Sequence, residues 1–235
     1  MDPAFRVLGW PPDGPQLRLD YRRFRYAGKF VMSNTGKAVA CDPDATREGE
    51  YDAALAAVAF NEDRTDPATW WLRYITVRDD LRGEGLGARL AAFAADRIES
   101  RGGDRIRIAV NNPFAYQALY KAGFGFTGEE TGIAELVLER PDPRDTEAYQ
   151  SGLDRYRTRD PGDPEATFLD DKRGPRRPAA STRDLETPCA RTVAKWVTQT
   201  CGRSRRSRTW RGPTSRGASS PSTRTTGCIA TSRRR

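Results

Sequence analysis

Three glycines separate a strand-like segment from a helix-like segment in the middle of the chain. The stretch is YITVRDDLRGEGLGARLAAFAADRI, residues 74–98, with glycines at 83, 85 and 87. Aromatic and β-branched residues before the glycines predict a strand. After them, apolar residues recur along one helical face, at Leu86, Leu90, Phe93, Ala94 and Ile98. Glycines at the start of a helix let backbone N–H groups approach a phosphate, so this junction predicts a phosphate site.

Two well-known phosphate-binding patterns fit this junction poorly. The dinucleotide-binding pattern G-x-G-x-x-A is present at Gly83, Gly85 and Ala88, but it expects an acidic residue about twenty positions further on. The next predicted strand ends in Val110, Asn111 and Asn112, without that acid. The Walker A pattern fails because no Gly-Lys-Ser/Thr follows. A glycine-rich turn that binds nothing is the simplest alternative.

Periodicity and turn residues predict the elements around the junction. Strands are predicted in FRVLGW, YDAALAAVAFNED, TWWLRYITV and DRIRIAVN, and two more in GFTGEETGIAELVLER. QLRLDYRRFRY could be strand or helix, and KFVMSNTGKAVACD predicts a hairpin that turns at residues 33–36. A second helix is predicted in PFAYQALYKAGF, from Pro113 to Gly123.

The charge of the chain changes sign near residue 171. Residues 1–171 hold 23 Lys and Arg against 30 Asp and Glu, whereas residues 172–235 hold 17 against 2. The second part is rich in Arg, Ser, Thr, Pro and Gly, so it cannot bury enough apolar surface to offset its chain entropy. We expect a compact domain over residues 1–140, a polar extension with a helical turn or two over 141–171, and a disordered or non-native tail over 172–235.

The composition excludes several kinds of catalytic site. The chain has no histidine, which excludes Ser-His-Asp hydrolysis, Cys-His nucleophiles and zinc sites with histidine ligands. The four cysteines, at 41, 189, 201 and 228, form no C-x-x-C pair, so no metal is expected. The sequence has neither a long apolar run nor a basic-then-apolar start. We therefore expect a soluble, cytoplasmic protein without a membrane span.

Two motifs resemble those of the GNAT acetyltransferase superfamily. The first is R-x-x-G-x-G at Arg82, Gly85 and Gly87, between a strand and an amphipathic helix. The second is NNPFAYQALYKAGF, an Asn followed by a helix that ends in Gly-Phe. Together they cover about residues 70–127. The resemblance implies an α/β (α+β) fold: a mixed, mostly antiparallel central sheet, splayed at the acyl-CoA site and flanked by helices.

The resemblance also implies which residues bind acetyl-CoA. The pyrophosphate would lie on the loop and first helical turn, and the pantetheine arm would pair with the preceding strand. The implied residues are Ile75, Thr76, Val77, Arg82, Gly83, Glu84, Gly85, Leu86, Gly87 and Ala88. Asn112 matches the family's Asn, which would bind the pantetheine; a helix cap is an equal alternative for it.

The catalytic residues are less determined by the resemblance. Family members often place a Tyr proton donor four residues before the Gly of Gly-Phe, and that position is Leu119 here. Tyr120, one position away, is the predicted donor, with aromatic packing as the alternative. Glu62 and Asp63, at the end of a predicted strand, are the predicted bases. Glu84, Glu129 and Glu130 are rival bases nearer the loops.

The resemblance implies an acyl-CoA-dependent N-acetyltransferase that transfers an acetyl group directly from acetyl-CoA to a primary amine of a small molecule or protein. The acidic body would attract cationic acceptors such as polyamines. A non-catalytic acyl-CoA-binding module is the alternative, and a homodimer is compatible with either. The basic tail could instead bind nucleic acid. An inert linker, and GC-rich codons translated out of frame, are the two alternatives, and both are favoured over nucleic-acid binding.

Overall fold

The structure is a computed structural model that describes residues 2–43 and 54–180. Its strands are β1 (Ala4–Gly9), β2 (Gly36–Cys41), β3 (Ala54–Glu62), β4 (Thr69–Val77), β5 (Arg105–Val110), β6 (Gly125–Glu130) and β7 (Leu136–Arg140). Its α-helices are α1 (Leu86–Glu99), α2 (Pro113–Lys121), α3 (Thr146–Arg157) and α4 (Asp163–Asp171). Most of the predicted tail, residues 181–235, lies outside the described residues.

The described strands form one sheet in the order β1-β2-β3-β4-β5-β7-β6. All neighbouring strands are antiparallel except β4 and β5, which are parallel. The expected mixed, mostly antiparallel sheet flanked by helices is thus confirmed. A parallel pair requires a crossover connection, and α1 supplies it.

The parallel pair separates at its centre. β4 and β5 pair only from Thr69↔Arg105 to Trp71↔Arg107, although both strands continue beyond that point. We call the gap between β4 residues 72–77 and β5 residues 108–110 the fork. It opens toward the carboxyl ends of both strands, where α1 and α2 begin.

The predicted apolar stripe of α1 packs against the sheet. Leu86, Leu90, Phe93, Ala94 and Ile98 are all buried and belong to one core cluster with the α1-facing side chains of the sheet. Burying a Leu, Ile or Phe side chain stabilises a fold by about 1.5–3 kcal/mol. This packing holds the first turn of α1 at the open end of the fork.

The predicted hairpin across residues 29–42 is wrong in its first strand. Residues Ala27–Val31 form a 3-10 helix instead, and β2 pairs with β1 and β3. Phe30 is fully buried with Leu17 against the sheet face opposite α1, and Leu17 N–H donates to Phe30 O at 3.0 Å. Covering this second face outweighs the local turn preference. The preceding stretch, residues 16–26, forms neither strand nor α-helix.

The polar extension after residue 140 folds onto the same core. Three apolar side chains of α3, Tyr149, Leu153 and Tyr156, are buried in the main cluster, as is Leu169 of α4. The hydroxyl of Tyr156 donates to Val110 O, the last residue of β5, at 2.9 Å. The extension is therefore two packed helices rather than the expected turn or two.

Candidate active site

The open end of the fork is lined by backbone of β4 that β5 does not pair. Arg78 N–H donates to Leu55 O at 2.9 Å, one residue past the end of β4. Hydrogen-bonded and non-hydrogen-bonded pairs alternate along an antiparallel ladder. The N–H and C=O groups of Thr76 therefore point to β3, whereas those of Ile75 and Val77 point into the fork.

The side chains of these three strand residues lie on opposite faces of the sheet. Ile75 and Val77 are partly buried against the core on the α1 side. Thr76 is buried, and its hydroxyl has no hydrogen-bond partner among the described residues. Leaving a buried hydroxyl unpaired has a free-energy cost. No contact among the described residues offsets this cost for Thr76.

The loop between β4 and α1 leaves the amino terminus of α1 free of side-chain caps. Gly83 and Gly85 have positive φ angles of 86° and 81°, which favour glycine. Gly85 is the N-cap of α1 and forms no side-chain capping bond, and Glu84 is exposed. The first N–H groups of a helix have no intrahelical partner, so those of Leu86, Gly87 and Ala88 point outward from the helix end.

Two further residues fix the shape of this loop. Arg82 forms an ion pair with Asp79 and donates from Nε to Val77 O at 3.4 Å, so it braces the turn. A β-carbon on Gly87 would lie 3.2 Å from Cγ2 of Val77. Glycine at this position lets the first turn of α1 approach the end of β4 closely.

Asn112 caps α2 at the end of the other arm of the fork. Its Oδ1 accepts a hydrogen bond from Ala115 N–H at 2.9 Å, and Pro113 begins the helix. Its Nδ2 donates to Oδ1 of the exposed Asn111 at 3.3 Å. The capping alternative is thereby confirmed, while a contact between Asn112 and a ligand stays a prediction.

The structure does not bring Tyr120 to the fork. The Tyr120 side chain is fully buried, and its hydroxyl accepts the N–H of Phe126 at 3.0 Å. Phe126 lies on β6, and β7 separates β6 from β5, so this hydroxyl is about two strand spacings, or ~10 Å, from β5. Burial raises the pKa of Tyr120. Its role as proton donor stays a prediction, and this position favours aromatic packing.

The two predicted bases lie at the end of β3 and just after it, beside the residues of β4 that pair with β5. Glu62 ends β3 opposite Trp70 and is exposed. The Asp63 carboxylate accepts hydrogen bonds from Thr65 N–H and from the Thr65 hydroxyl, both at 2.8 Å, and from Trp71 Nε1 at 2.8 Å. These bonds, with the Thr65 N–H first among them, hold the pKa of Asp63 well below its usual range. Asp63 is therefore a weak base.

The arrangement combines two parts that suit one elongated anionic ligand. Unpaired strand backbone can bind amide groups, and an uncapped helix terminus can bind phosphate. Within residues 2–43 and 54–180 there is no group of three or more Cys, Asp or Glu side chains that could hold a metal ion. In the same ranges, no helix has the length and apolar character needed to cross a membrane.

Comparisons with known proteins show the family. No curated protein sequence matches the chain. Several solved structures resemble it at low identity. An acetyltransferase of Bacillus subtilis in complex with CoA is 17% identical, covers 58% of this chain and 97% of its own, and has a TM-score of 0.42. Nourseothricin acetyltransferase is 16% identical, with 61% and 100% covered and a TM-score of 0.41. An N-acetyltransferase of Staphylococcus aureus is 16% identical, with 45% and 66% covered and a TM-score of 0.37.

The family profile provides the assignment. The profile of the acetyltransferase (GNAT) family matches residues 6–126. This range includes most of β1, all of β2 to β5, the fork, the glycine loop, the N-termini of helices α1 and α2 and the start of β6. Both motifs that resembled this superfamily lie within it. The chain belongs to the GNAT acetyltransferase family.

Proposed function

We propose that this protein is an acyl-CoA-dependent N-acetyltransferase that transfers the acetyl group of acetyl-CoA directly to a primary amine. One observation carries the proposal: the fork in the sheet opens beside an uncapped helix amino terminus. Acetyl-CoA has an anionic pyrophosphate and an arm with two amide groups, so its chemistry suits both parts of the site.

In this proposal the pyrophosphate accepts hydrogen bonds from the N–H groups of Leu86, Gly87 and Ala88. The positive end of the α1 dipole adds to this attraction. The pantetheine arm then runs along β4, where Ile75 and Val77 offer N–H and C=O groups as they would to an added strand. Asn112 flanks the opposite arm. The acetyl group would lie toward the closed end of the fork.

The reaction itself is a direct transfer. The neutral amine nitrogen forms a bond to the thioester carbonyl carbon, the carbon–sulfur bond breaks, and the proton released by the amine neutralises the thiolate. Backbone N–H groups of β4 at the fork would polarise the carbonyl oxygen. Glu62 is the proposed base for the incoming ammonium; it pairs with Trp70 and so lies toward the α1 face, from which it would act through water.

The test is calorimetric titration of acetyl-CoA into the full-length protein. We expect binding with a micromolar Kd. S-acetylpantetheine, which lacks the nucleotide and the pyrophosphate, should bind at least about tenfold more weakly, since it loses several charge-assisted hydrogen bonds. No binding of acetyl-CoA at either low or high salt would refute the proposal. Binding without thiol release in the presence of any amine would favour the non-catalytic alternative.

A further inference from the structure

The face of β4 opposite α1 is only partly covered near the closed end of the fork, where Arg73 is exposed and Trp71 is half-buried. The α1 side is covered by helices. If acetyl-CoA binds as proposed above, its arm passes Val77 and Ile75 and ends near the β-bulge between Leu72 and Tyr74. Arg73 is the extra residue of this bulge, two positions beyond the last β4–β5 pair.

Two cations without a salt bridge lie over aromatic rings at this bulge. The guanidinium carbon of Arg73 is 5.2 Å from the ring centroid of Trp71, and Arg73 Nε donates to Asn61 Oδ1 at 2.6 Å. Lys29 Nζ is 5.6 Å from the ring centroid of Tyr74. The Arg73 and Lys29 side chains are both exposed. The rings and the Asn61 amide thus hold two positive charges beside the closed end of the fork.

The carboxylates around the bulge make their closest contacts with residues other than Arg73 and Lys29. Asp63 accepts from Trp71 Nε1 and from Thr65. On β5, Arg107 pairs with Glu129 at 2.7 Å and with Glu139 at 3.0 Å. Across residues 2–43 and 54–180, neither Arg73 nor Lys29 takes part in a salt bridge. Both cations therefore lack a salt-bridge partner in the described fold, although the Asp63 carboxylate attracts Arg73 from a longer distance.

The segment that runs alongside β4 on this face extends the positive charge. Residues 18–29 hold five cations, Arg18, Arg22, Arg23, Arg25 and Lys29, against the single acid Asp20. The segment packs along β4: Leu19 joins Tyr74 in one apolar cluster, and Asp79 N–H donates to Arg23 O at 2.9 Å. None of the five cations forms a salt bridge with a described residue. This local charge is opposite in sign to the net charge of residues 1–171.

We propose that the acceptor is a small primary amine that also carries an anionic group, a carboxylate or a phosphate ester, bound by Arg73 and Lys29. This proposal rests on the function proposed above. The guanidinium of Arg73 presents a planar fork of donors that matches either anion, and Lys29 adds a second charge. Anchoring the anion at the bulge directs the amine toward the acetyl group. A polyamine acceptor, which the net charge of the body suggested, would meet repulsion here.

The experiment compares matched amines that differ by one anionic group. Tyrosine is compared with tyramine, lysine with cadaverine, and phosphoethanolamine with ethanolamine, each by thiol release from acetyl-CoA in the full-length protein. The first two pairs test a carboxylate and the third tests a phosphate. We expect kcat/KM to be about tenfold to a hundredfold higher for the anionic member of a pair. Charge-assisted hydrogen bonds to one anion stabilise a complex by an amount of this order.

A double variant assigns the preference to the two cations. Lys29→Met with Arg73→Met should reduce the ratio of kcat/KM within a pair to about 1. The matched control, Lys121→Met with Arg155→Met, removes one exposed lysine and one exposed arginine from α2 and α3 and should leave the ratio unchanged. A ratio within one protein is independent of how much of that protein is folded.

Three results would overturn the proposal. They are a wild-type ratio of 1 or less in every pair, a ratio that persists in the Lys29→Met, Arg73→Met variant, and the absence of acetylation across the panel while acetyl-CoA still binds. Failure of the wild-type protein to bind acetyl-CoA in the calorimeter is a separate result. It would refute the underlying transferase function, and the acceptor proposal with it.

Discussion

Replacing Gly85 by Asp or by Asn separates the charge of the proposed phosphate site from its shape. Gly85 caps α1 with φ 81°, a conformation that Asp and Asn tolerate better than other side chains. A β-carbon added at Gly85 meets no atom within 4 Å, so both side chains fit. The two variants have nearly the same size and differ in one negative charge at the helix terminus.

The charge difference sets the expected effect on affinity. A phosphate held by the N–H groups of Leu86–Ala88 would lie roughly 5 Å from the new carboxylate. Coulomb's law at that distance gives about 1–3 kcal/mol of repulsion per pair of unit charges, for an effective dielectric between those of water and a protein surface. We therefore expect Gly85→Asp to bind acetyl-CoA at least about fivefold more weakly than Gly85→Asn.

Calorimetric titration at low salt measures this difference. The gap between the two variants should shrink as ionic strength rises, because salt screens exposed charges. Urea unfolding provides the folding control: Asp at a helix amino terminus is favourable, so Gly85→Asp should be at least as stable as Gly85→Asn. Equal acetyl-CoA affinities for the two variants at low salt would refute the phosphate site at α1.

Three other variants test the remaining assignments. Tyr120→Phe should keep kcat within about threefold and lose about 1–3 kcal/mol of stability, because Phe126 N–H loses its buried acceptor; a kcat loss of about a hundredfold would instead establish Tyr120 as the proton donor. Burial lowers the pKa of Lys37 to about 8, so between that pH and the ordinary lysine pKa the unfolded chain binds the extra proton. The free energy of unfolding should therefore rise with pH above 8, by up to about 1.4 kcal/mol per pH unit; urea unfolding should show a smaller rise in Lys37→Met, and equal slopes would refute this. Leu153→Ala should cost about 2–5 kcal/mol in urea unfolding, because Leu153 is fully buried; a loss below about 1 kcal/mol would show that α3 is not part of the core.

The parts of the site that depend on local sequence were predictable. The loop glycines and the stripe of α1 are adjacent in the chain, and each has a local physical signature. Asn112 before Pro113 likewise indicated a helix start, and the structure confirms it. The prediction that β4 separates from β5 came from the family resemblance, because the residues of neither strand indicate where their pairing stops.

Two features depended on contacts distant in sequence. The 3-10 helix at Ala27–Val31 replaces a predicted strand because Phe30 covers the second face of the sheet. The bulge that places Arg73 at the closed end of the fork arises from the register of β3 against β4. Neither the covering of that sheet face nor the register of two strands can be predicted from the residues of one segment alone.

Helix α3 had a periodic apolar pattern in the sequence that its polar composition obscured. Tyr149, Leu153 and Tyr156 follow the i, i+4, i+7 spacing of one helical face. Asp145 precedes them as a cap, with its Oδ1 accepting from Ala148 N–H at 2.6 Å. The many charged residues around this stripe made the segment look like an extension. Periodicity was a better guide here than mean polarity.

The most direct test of the central claim is to identify the product. The full-length protein would be incubated with acetyl-CoA and an amine panel, and each mixture analysed by mass spectrometry alongside thiol release. The proposed function predicts an N-acetylated amine and free CoA in equal amounts, formed only when protein, acetyl-CoA and amine are all present. Binding of acetyl-CoA without any acetylated amine, or thiol release that does not depend on an amine, would contradict it.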